Sequence, residues 1–241
     1  MRLQRTISNS VKGAVFRSGC GQQYTNLWWM MRARSVSPWV DWNVEKNAVF
    51  IHVPKNAGTS LYKILEITEP SETHCTALGY RSSNPRLWSQ AYTFAFCRNP
   101  WDRFVSAFHY LKHKPISADD EAWSKEVLGP FETFADFAEE MDRPSFRSAV
   151  FMWRHFAPQW YYLSDLSGRM IVDHVARFEN LSKEVERLAP RLGAKGVSVR
   201  TNAVERGHYS SYYTHRLQRI VADAYARDID LFGYSFNTGS P

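Results

Sequence analysis

The chain has 241 residues and a mass of 28.0 kDa, enough for one substantial core and short for two independent ones. Hydrophobic residues make up 44% and charged residues 22%, which excludes a disordered chain, and no apolar run reaches the ~20 residues of a membrane-spanning helix. The charge of +6, from 30 Lys and Arg against 24 Asp and Glu, suits an anionic small ligand, a polyanion or nucleic acid without choosing among them. The three cysteines, Cys20, Cys75 and Cys97, are odd in number and lack zinc-site spacing, so reduced thiols in a cytoplasm are the simplest expectation. The first thirty residues also lack the compact apolar stretch of a secretory signal.

Residues 1–46 show little period and read as an N-terminal extension packing on or near a single domain, 47–241. Within the extension, Leu27-Trp28-Trp29-Met30-Met31 and Pro38-Trp39 read as buried aromatics. Contact of Trp28 and Trp29 with a membrane surface, helped by Arg32 and Arg34, is the alternative. From Ala48 to Val53 a short apolar, β-branched run fits a strand buried in a parallel sheet. The turn Pro54-Lys55-Asn56-Ala57-Gly58 follows, and Thr59 and Ser60 then open a helical pattern at Leu61, Ile64 and Leu65.

The same order recurs once. Ala91 to Cys97 reads as a second buried strand, Asn99 as a helix cap with Pro100 at the first helical position, and Trp101, Phe104, Val105, Phe108 and Leu111 as the apolar stripe of a helix. Helices are expected at 131–141, 146–156, 181–192 and 214–231, and a short strand from His174 to Phe178. Strands alternating with helices predict an α/β fold: P-loop-like and three-layered, with a central parallel sheet flanked by helices.

A turn that leads from a strand into a helix exposes N–H donors and suits an anion. Here Gly58 permits close approach, Lys55 supplies a mobile cation, and Thr59 and Ser60 supply hydroxyls. The nucleotide loop G-x-x-x-x-G-K-[ST] is absent. Taken alone, the turn reads equally well as an ordinary strand-to-helix connection. The second turn changes the balance, because Arg98 ends its strand and Ser106 lies two turns along the next helix, with Arg103 one turn before it.

With both turns in view, the sequence resembles the sulfotransferases that use 3′-phosphoadenosine 5′-phosphosulfate (PAPS), in particular their carbohydrate-sulfotransferase branch. Pro54-Lys55-Asn56-Ala57-Gly58-Thr59-Ser60 is similar to the 5′-phosphosulfate loop of that family, and the run from Arg98 to Phe108 to its 3′-phosphate element. His155-Phe156-Ala157-Pro158-Gln159, Tyr162-Leu163, Arg177-Phe178-Glu179-Asn180-Leu181 and the stretch from Tyr225 to Tyr234 are similar to its later blocks. The resemblance covers about residues 48 to 236.

It implies sulfuryl transfer from PAPS to a hydroxyl of a carbohydrate or glycoconjugate, with no metal required. The donor would be held by Lys55, Asn56, Ala57, Gly58, Thr59, Ser60, Arg98 and Ser106. Lys55 would also stabilise the leaving group, and His74 would act as general base. Glu72 and Glu66 are substitutes for His74, and His155 is the next choice among the eight histidines. Arg177, Asn202 and Arg206 are candidates for holding the nucleotide, and Tyr161, Tyr162 and Tyr209 to Tyr213 for stacking on adenine or sugar. Many such relatives are anchored in the Golgi, whereas the length of this chain looks more like a bacterial cytoplasmic relative. Competing readings are a P-loop kinase or hydrolase, a basic nucleic-acid-binding module and a PAPS-binding protein without turnover. No recognised nucleic-acid motif is present, so nucleic acid is not an expected partner.

Overall fold

The computed structural model describes residues 21–68, 74–194 and 207–237. Helices α1 (Gly21–Ser35) and α2 (Asp41–Lys46) precede strand β1 (Ala48–Ile51). Helices α3 (Gly58–Ile64), α4 (Ala77–Ser83) and α5 (Pro85–Gln90) lead to β2 (Tyr92–Cys97). The chain continues through α6 (Pro100–His113), α7 (Ala118–Trp123), α8 (Phe134–Glu140) and α9 (Pro144–Phe151). It returns as α10 (Trp160–Leu163), β3 (His174–Arg177) and α11 (Leu181–Leu192), then ends with α12 (His215–Ala224) and α13 (Ala226–Phe232). Two compact units result, one built chiefly from residues 22–98 and 159–194 and the other from 99–158 and 207–237.

The first unit carries a small parallel sheet flanked by helices. Its order is β1-β2-β3, with Phe50 opposite Phe94 and Phe96 opposite Ala176. Those four side chains share one core with Leu61, Tyr62 and Leu65 from α3 and its end. The apolar stripe of α11, Leu181, Val185, Leu188 and Leu192, closes over the same core. The spacing of that stripe is one helical face, and each side chain so buried contributes about 1.5–3 kcal/mol. Val49, Ile51 and Ala95, on the alternate positions, are buried as well. Both faces are therefore covered, which is why the strands read as continuous apolar runs.

β1 is two residues shorter than the apolar run suggests. The Val53 N–H donates back to the Ile51 carbonyl at 3.1 Å, so the ladder ends there. α1 and α2 were not legible as helices in the aperiodic extension. α1 buries Trp29 and Ala33, and the Asn26 side-chain amide reaches the Ser164 carbonyl at 3.4 Å.

The second unit is helical. The Asn99 side chain accepts hydrogen bonds from the N–H groups of Trp101 and Asp102, and Pro100 fills the first helical position, as the sequence predicts. Phe104 and Phe108 stack with Phe137 at ring distances of 5.5 and 5.6 Å, within a cluster that includes Phe134 and Phe156. α8 begins later than expected because Thr133 caps it, exchanging hydrogen bonds with Asp136. α9 ends at Phe151, short of the expected 156. The long helix expected over 214–231 is broken at Tyr225, whose backbone leaves the helical region (φ −113°, ψ 24°) while its hydroxyl is anchored on the Phe156 carbonyl at 2.7 Å. Among the described residues no helix is long and apolar enough to cross a membrane.

A buried polar knot holds α7 to the segment after α9. Asp120, 2% exposed, accepts from Tyr110 Oη at 2.9 Å, Arg154 Nη2 at 2.7 Å and His155 Nε2 at 3.1 Å. Burial by itself raises the Asp120 pKa, but His155, Arg154 and Tyr110 outweigh it and hold the carboxyl well below the ordinary range. Because the folded value lies below the unfolded one, the stabilisation is complete above about pH 4 and fades as pH falls toward the folded value. Asp120→Ala is expected to cost about 1–3 kcal/mol in urea denaturation, since it leaves the buried His155 and the Tyr110 and Arg154 donors without their acceptor. Its midpoint should also fall less than that of the native chain between about pH 4 and about pH 2. Parallel acid limbs for the two proteins would locate the acid-sensitive group elsewhere.

Candidate active site

β1 and β2 are neighbours and run parallel, so their carboxyl ends deliver the segment after residue 51 and Arg98 to the same edge of the sheet. The structure joins the two turns directly. Arg98 Nη1 donates to the Lys55 carbonyl at 3.0 Å, and the Arg98 guanidinium carbon lies 4.3 Å from the centre of the Phe178 ring. A hydrogen bond on one side and an aromatic face on another fix a planar cation in one orientation.

The first turn is shaped by two left-handed residues that are not glycine, Lys55 (φ 72°) and Ala57 (φ 59°). Such residues cost about 1–3 kcal/mol each and persist where surrounding contacts over-determine them. Between them Asn56, 1% exposed, supplies those contacts. Its side-chain nitrogen donates to the Phe96 carbonyl at 2.6 Å and to Gln159 Oε1 at 2.8 Å.

Helix α3 opens at Gly58 rather than at Thr59, with Ala57 as its cap and no capping side chain. Its first backbone bond runs from the Leu61 N–H to the Ala57 carbonyl at 2.9 Å. The N–H groups of Gly58, Thr59 and Ser60 therefore have no intrahelical acceptor. α3 has only two turns, so an anion here would be held by these local donors and by Lys55 and Arg98, not by a long helix dipole. Thr59 is exposed and Lys55, Ala57 and Ser60 are half-buried, an arrangement open to a ligand.

Gly58 is required by close approach. A Cβ at this position would stand 1.9 Å from His52 Nε2 and 2.0 Å from His52 Cδ2. His52 in turn meets His74 at a ring distance of 4.4 Å, and His74 Nδ1 lies 3.4 Å from the His52 carbonyl. With Nδ1 donating to that carbonyl, the imidazole lone pair sits on Nε2. The contact series Gly58, His52, His74 thus places the expected base beside the end of the first turn. His52 escaped the sequence reading because it lay within the run from Ala48 to Val53, read as a buried strand.

The remaining candidates separate. Ser106 is half-buried on α6 in the helical unit. Arg103 is 1% exposed, a core residue of that unit. His155 is engaged with Asp120. Glu66 is exposed, in a left-handed turn (φ 53°), and Arg177 is half-buried at the end of β3. Tyr161, Tyr162 and Tyr209 are buried packing residues. Glu72, Asn202 and Arg206 lie outside the described residues. Among the described residues no three His, Cys, Asp or Glu side chains are grouped to hold a metal ion. Gln159, fully buried, bonds to both turns and was not singled out in the sequence. It was visible only as the last letter of a family-like block.

In comparisons with known proteins, a model described as Sulfotransferase family matches residues 41–235. No curated protein and no solved structure matches the chain.

The approach of His52 to Gly58 gives a direct test of the turn. Gly58→Ala is expected to destabilise by about 1–3 kcal/mol, the usual cost of overpacking, read as a shift in the denaturation midpoint. Adding His52→Ala opens the space the new methyl needs, so the double variant should lose less than the sum of the two single changes. Strict additivity would show that the ring and the glycine do not constrain one another.

Proposed function

The family match spans well over half of the chain, so the chain belongs to the sulfotransferase family, and from that premise we propose that it transfers a sulfuryl group from PAPS to a hydroxyl of a carbohydrate or glycoconjugate. The observation that carries this reading is the Arg98 to Lys55 hydrogen bond. It brings the residues matching the 5′-phosphosulfate loop and the 3′-phosphate element onto adjoining strand ends. The first turn then serves as a P-loop-like cradle, with Lys55, Asn56, Ala57, Gly58, Thr59 and Ser60 around the phosphosulfate. Arg98 reads the 3′-phosphate through a guanidinium suited to bidentate contact. Ser106 is assigned the companion hydroxyl by its motif alone.

In the proposed reaction the acceptor oxygen forms a bond to sulfur as the bond from sulfur to the bridging phosphate oxygen breaks. The acceptor proton passes to Nε2 of His74. The 5′-phosphate of the departing 3′-phosphoadenosine 5′-phosphate gains negative charge, which Lys55 offsets. Catalysis of this kind is mainly positioning and charge stabilisation. The assignment to the carbohydrate branch follows the similarity of the later blocks. A cytoplasmic setting is part of the same proposal, in keeping with the odd number of cysteines.

The test is calorimetry with 3′-phosphoadenosine 5′-phosphate against ATP, with and without magnesium, followed by turnover with PAPS and sugar acceptors. Tight metal-free binding of the bisphosphate supports the reading, and magnesium-dependent preference for ATP overturns it. Arg98→Ala should weaken the bisphosphate by roughly 2–5 kcal/mol, by analogy with a desolvated charge pair at an interface, and adenosine 5′-phosphate far less. Equal weakening of both would place Arg98 away from the 3′-phosphate.

Lys55→Ala and His74→Ala separate binding from chemistry. Lys55→Ala is expected to slow transfer and weaken the donor complex. His74→Ala should spare donor affinity and lower kcat about 10²–10⁴-fold. Only neutral imidazole accepts a proton, so the rate of the native chain should rise with pH across the imidazole titration, and His74→Ala should lack that rise. A His74→Ala enzyme with full turnover and an unchanged pH profile would remove His74 from the mechanism.

A further inference from the structure

We propose that Gln159 is a positioning residue for donor binding: its carboxamide locks the backbone of Arg98 and the Asn56 side chain into one unit and so sets where the Arg98 guanidinium points and how the first turn is held. The inference rests on the donor-site reading above but concerns a residue outside it.

The last registered pair between β2 and β3 is Cys97 with Arg177, and the pairing of β2 with β1 ends earlier, at Ala95. Arg98 is therefore the first residue beyond the ladder, where a chain end would ordinarily be free to turn. Gln159 takes over the role of a neighbouring strand there. Its Oε1 accepts from the Arg98 N–H at 2.9 Å and its Nε2 donates to the Arg98 carbonyl at 2.8 Å. Holding both backbone groups of one residue fixes the direction of its Cα–Cβ bond. For Arg98 that direction leads to the Lys55 carbonyl and the face of Phe178.

The same Oε1 also accepts from Asn56 Nδ2 at 2.8 Å. Asn56 is the residue between the two left-handed positions, Lys55 and Ala57. One neutral, fully buried carboxamide therefore restrains both turns, and it does so without adding charge beside Lys55 and Arg98. A carboxylate at this place would attract those cations and repel an anionic donor. Buried hydrogen bonds of this sort specify geometry, and small displacements of a binding group have large effects on ligand affinity and rate.

A support for the fold and a support for the site differ in one readout. General loosening weakens every nucleotide alike, whereas misdirecting Arg98 erodes the preference for a 3′-phosphate. The experiment measures the dissociation constants of 3′-phosphoadenosine 5′-phosphate and adenosine 5′-phosphate for the full chain and for Gln159→Met, Gln159→Asn and Arg98→Ala, each with a melting curve. Methionine keeps the volume and removes the amide. Asparagine keeps the amide on a stem too short to span both turns, and it serves if the methionine variant does not fold.

Either Gln159 variant should weaken the bisphosphate roughly 5- to 150-fold, the range expected when a buried hydrogen-bonding group is left without its partner. The preference over adenosine 5′-phosphate should shrink toward that of Arg98→Ala. Asn56→Ala combined with Gln159→Met should weaken binding by less than the product of the single effects, because the two side chains act through one bond. If the native chain prefers the bisphosphate, Arg98→Ala abolishes the preference and the Gln159 variants retain it, Gln159 is structural only and the inference is overturned. If the native chain shows no preference, or Arg98→Ala leaves it intact, the donor-site reading itself fails and the role of Gln159 falls with it.

Discussion

One hydrogen bond, from the Arg98 guanidinium to the Lys55 carbonyl, joins the ends of two adjacent parallel strands, and the rest of the site is arranged around it. It requires that the Lys55 carbonyl turn toward β2, which the left-handed conformation of Lys55 achieves. It also requires that the Arg98 side chain emerge in a set direction, which the backbone clamp at the end of β2 supplies. The pairing of β1 with β2 brings both within reach. The bond fixes one guanidinium at the strand end, a preset positive charge beside the first turn.

How much of this was legible in the sequence follows the range of the interactions. Short-range signals were reliable: Asn99-Pro100 capped α6 as read, and the apolar spacing from Leu181 to Leu192 gave α11 with both of its ends. The strands were recognised but their ends were not, because the bond that stops β1 joins Val53 to Ile51 and has no pattern in residue types. The break at Tyr225 was hidden for the same reason. It depends on a hydroxyl finding the Phe156 carbonyl far away in the chain, while the local apolar spacing runs on undisturbed. α1 carries its aromatic residues on no clear stripe, and what it buries is decided by partners such as Ser164.

The site divides along the same line. Lys55, Gly58 and Arg98 stood out in the sequence because a turn suited to an anion carries a cation and a small residue at the mouth of a strand, and the structure brings Arg98 onto the Lys55 carbonyl. Gln159 and His52 did not stand out. A glutamine has no characteristic spacing, and its importance arises from contact with Arg98 and Asn56, one distant and the other far more so. Those positions also mark the architecture, since the helical unit is entered after Arg98 and left before Gln159. Hydrogen bonds between Gln159 and Arg98 tie together the two ends of that long excursion within the sheet unit. Closing a long segment carries an entropic cost that grows only slowly with its length, so a few bonds at its base, together with the pairing of β2 and β3, suffice to close it.

The histidines show why the turn tolerates so little change. His52 is 7% exposed and its ring fills the space a side chain on Gly58 would need, while its carbonyl lies within reach of Nδ1 of His74. A shift in the strand end at His52 would therefore move the helix opening and the imidazole of His74 together. A proton on Nδ1 of His74 would meet the His52 carbonyl and leave the lone pair on Nε2, so the orientation of that ring is tied to the backbone that also positions the helix opening.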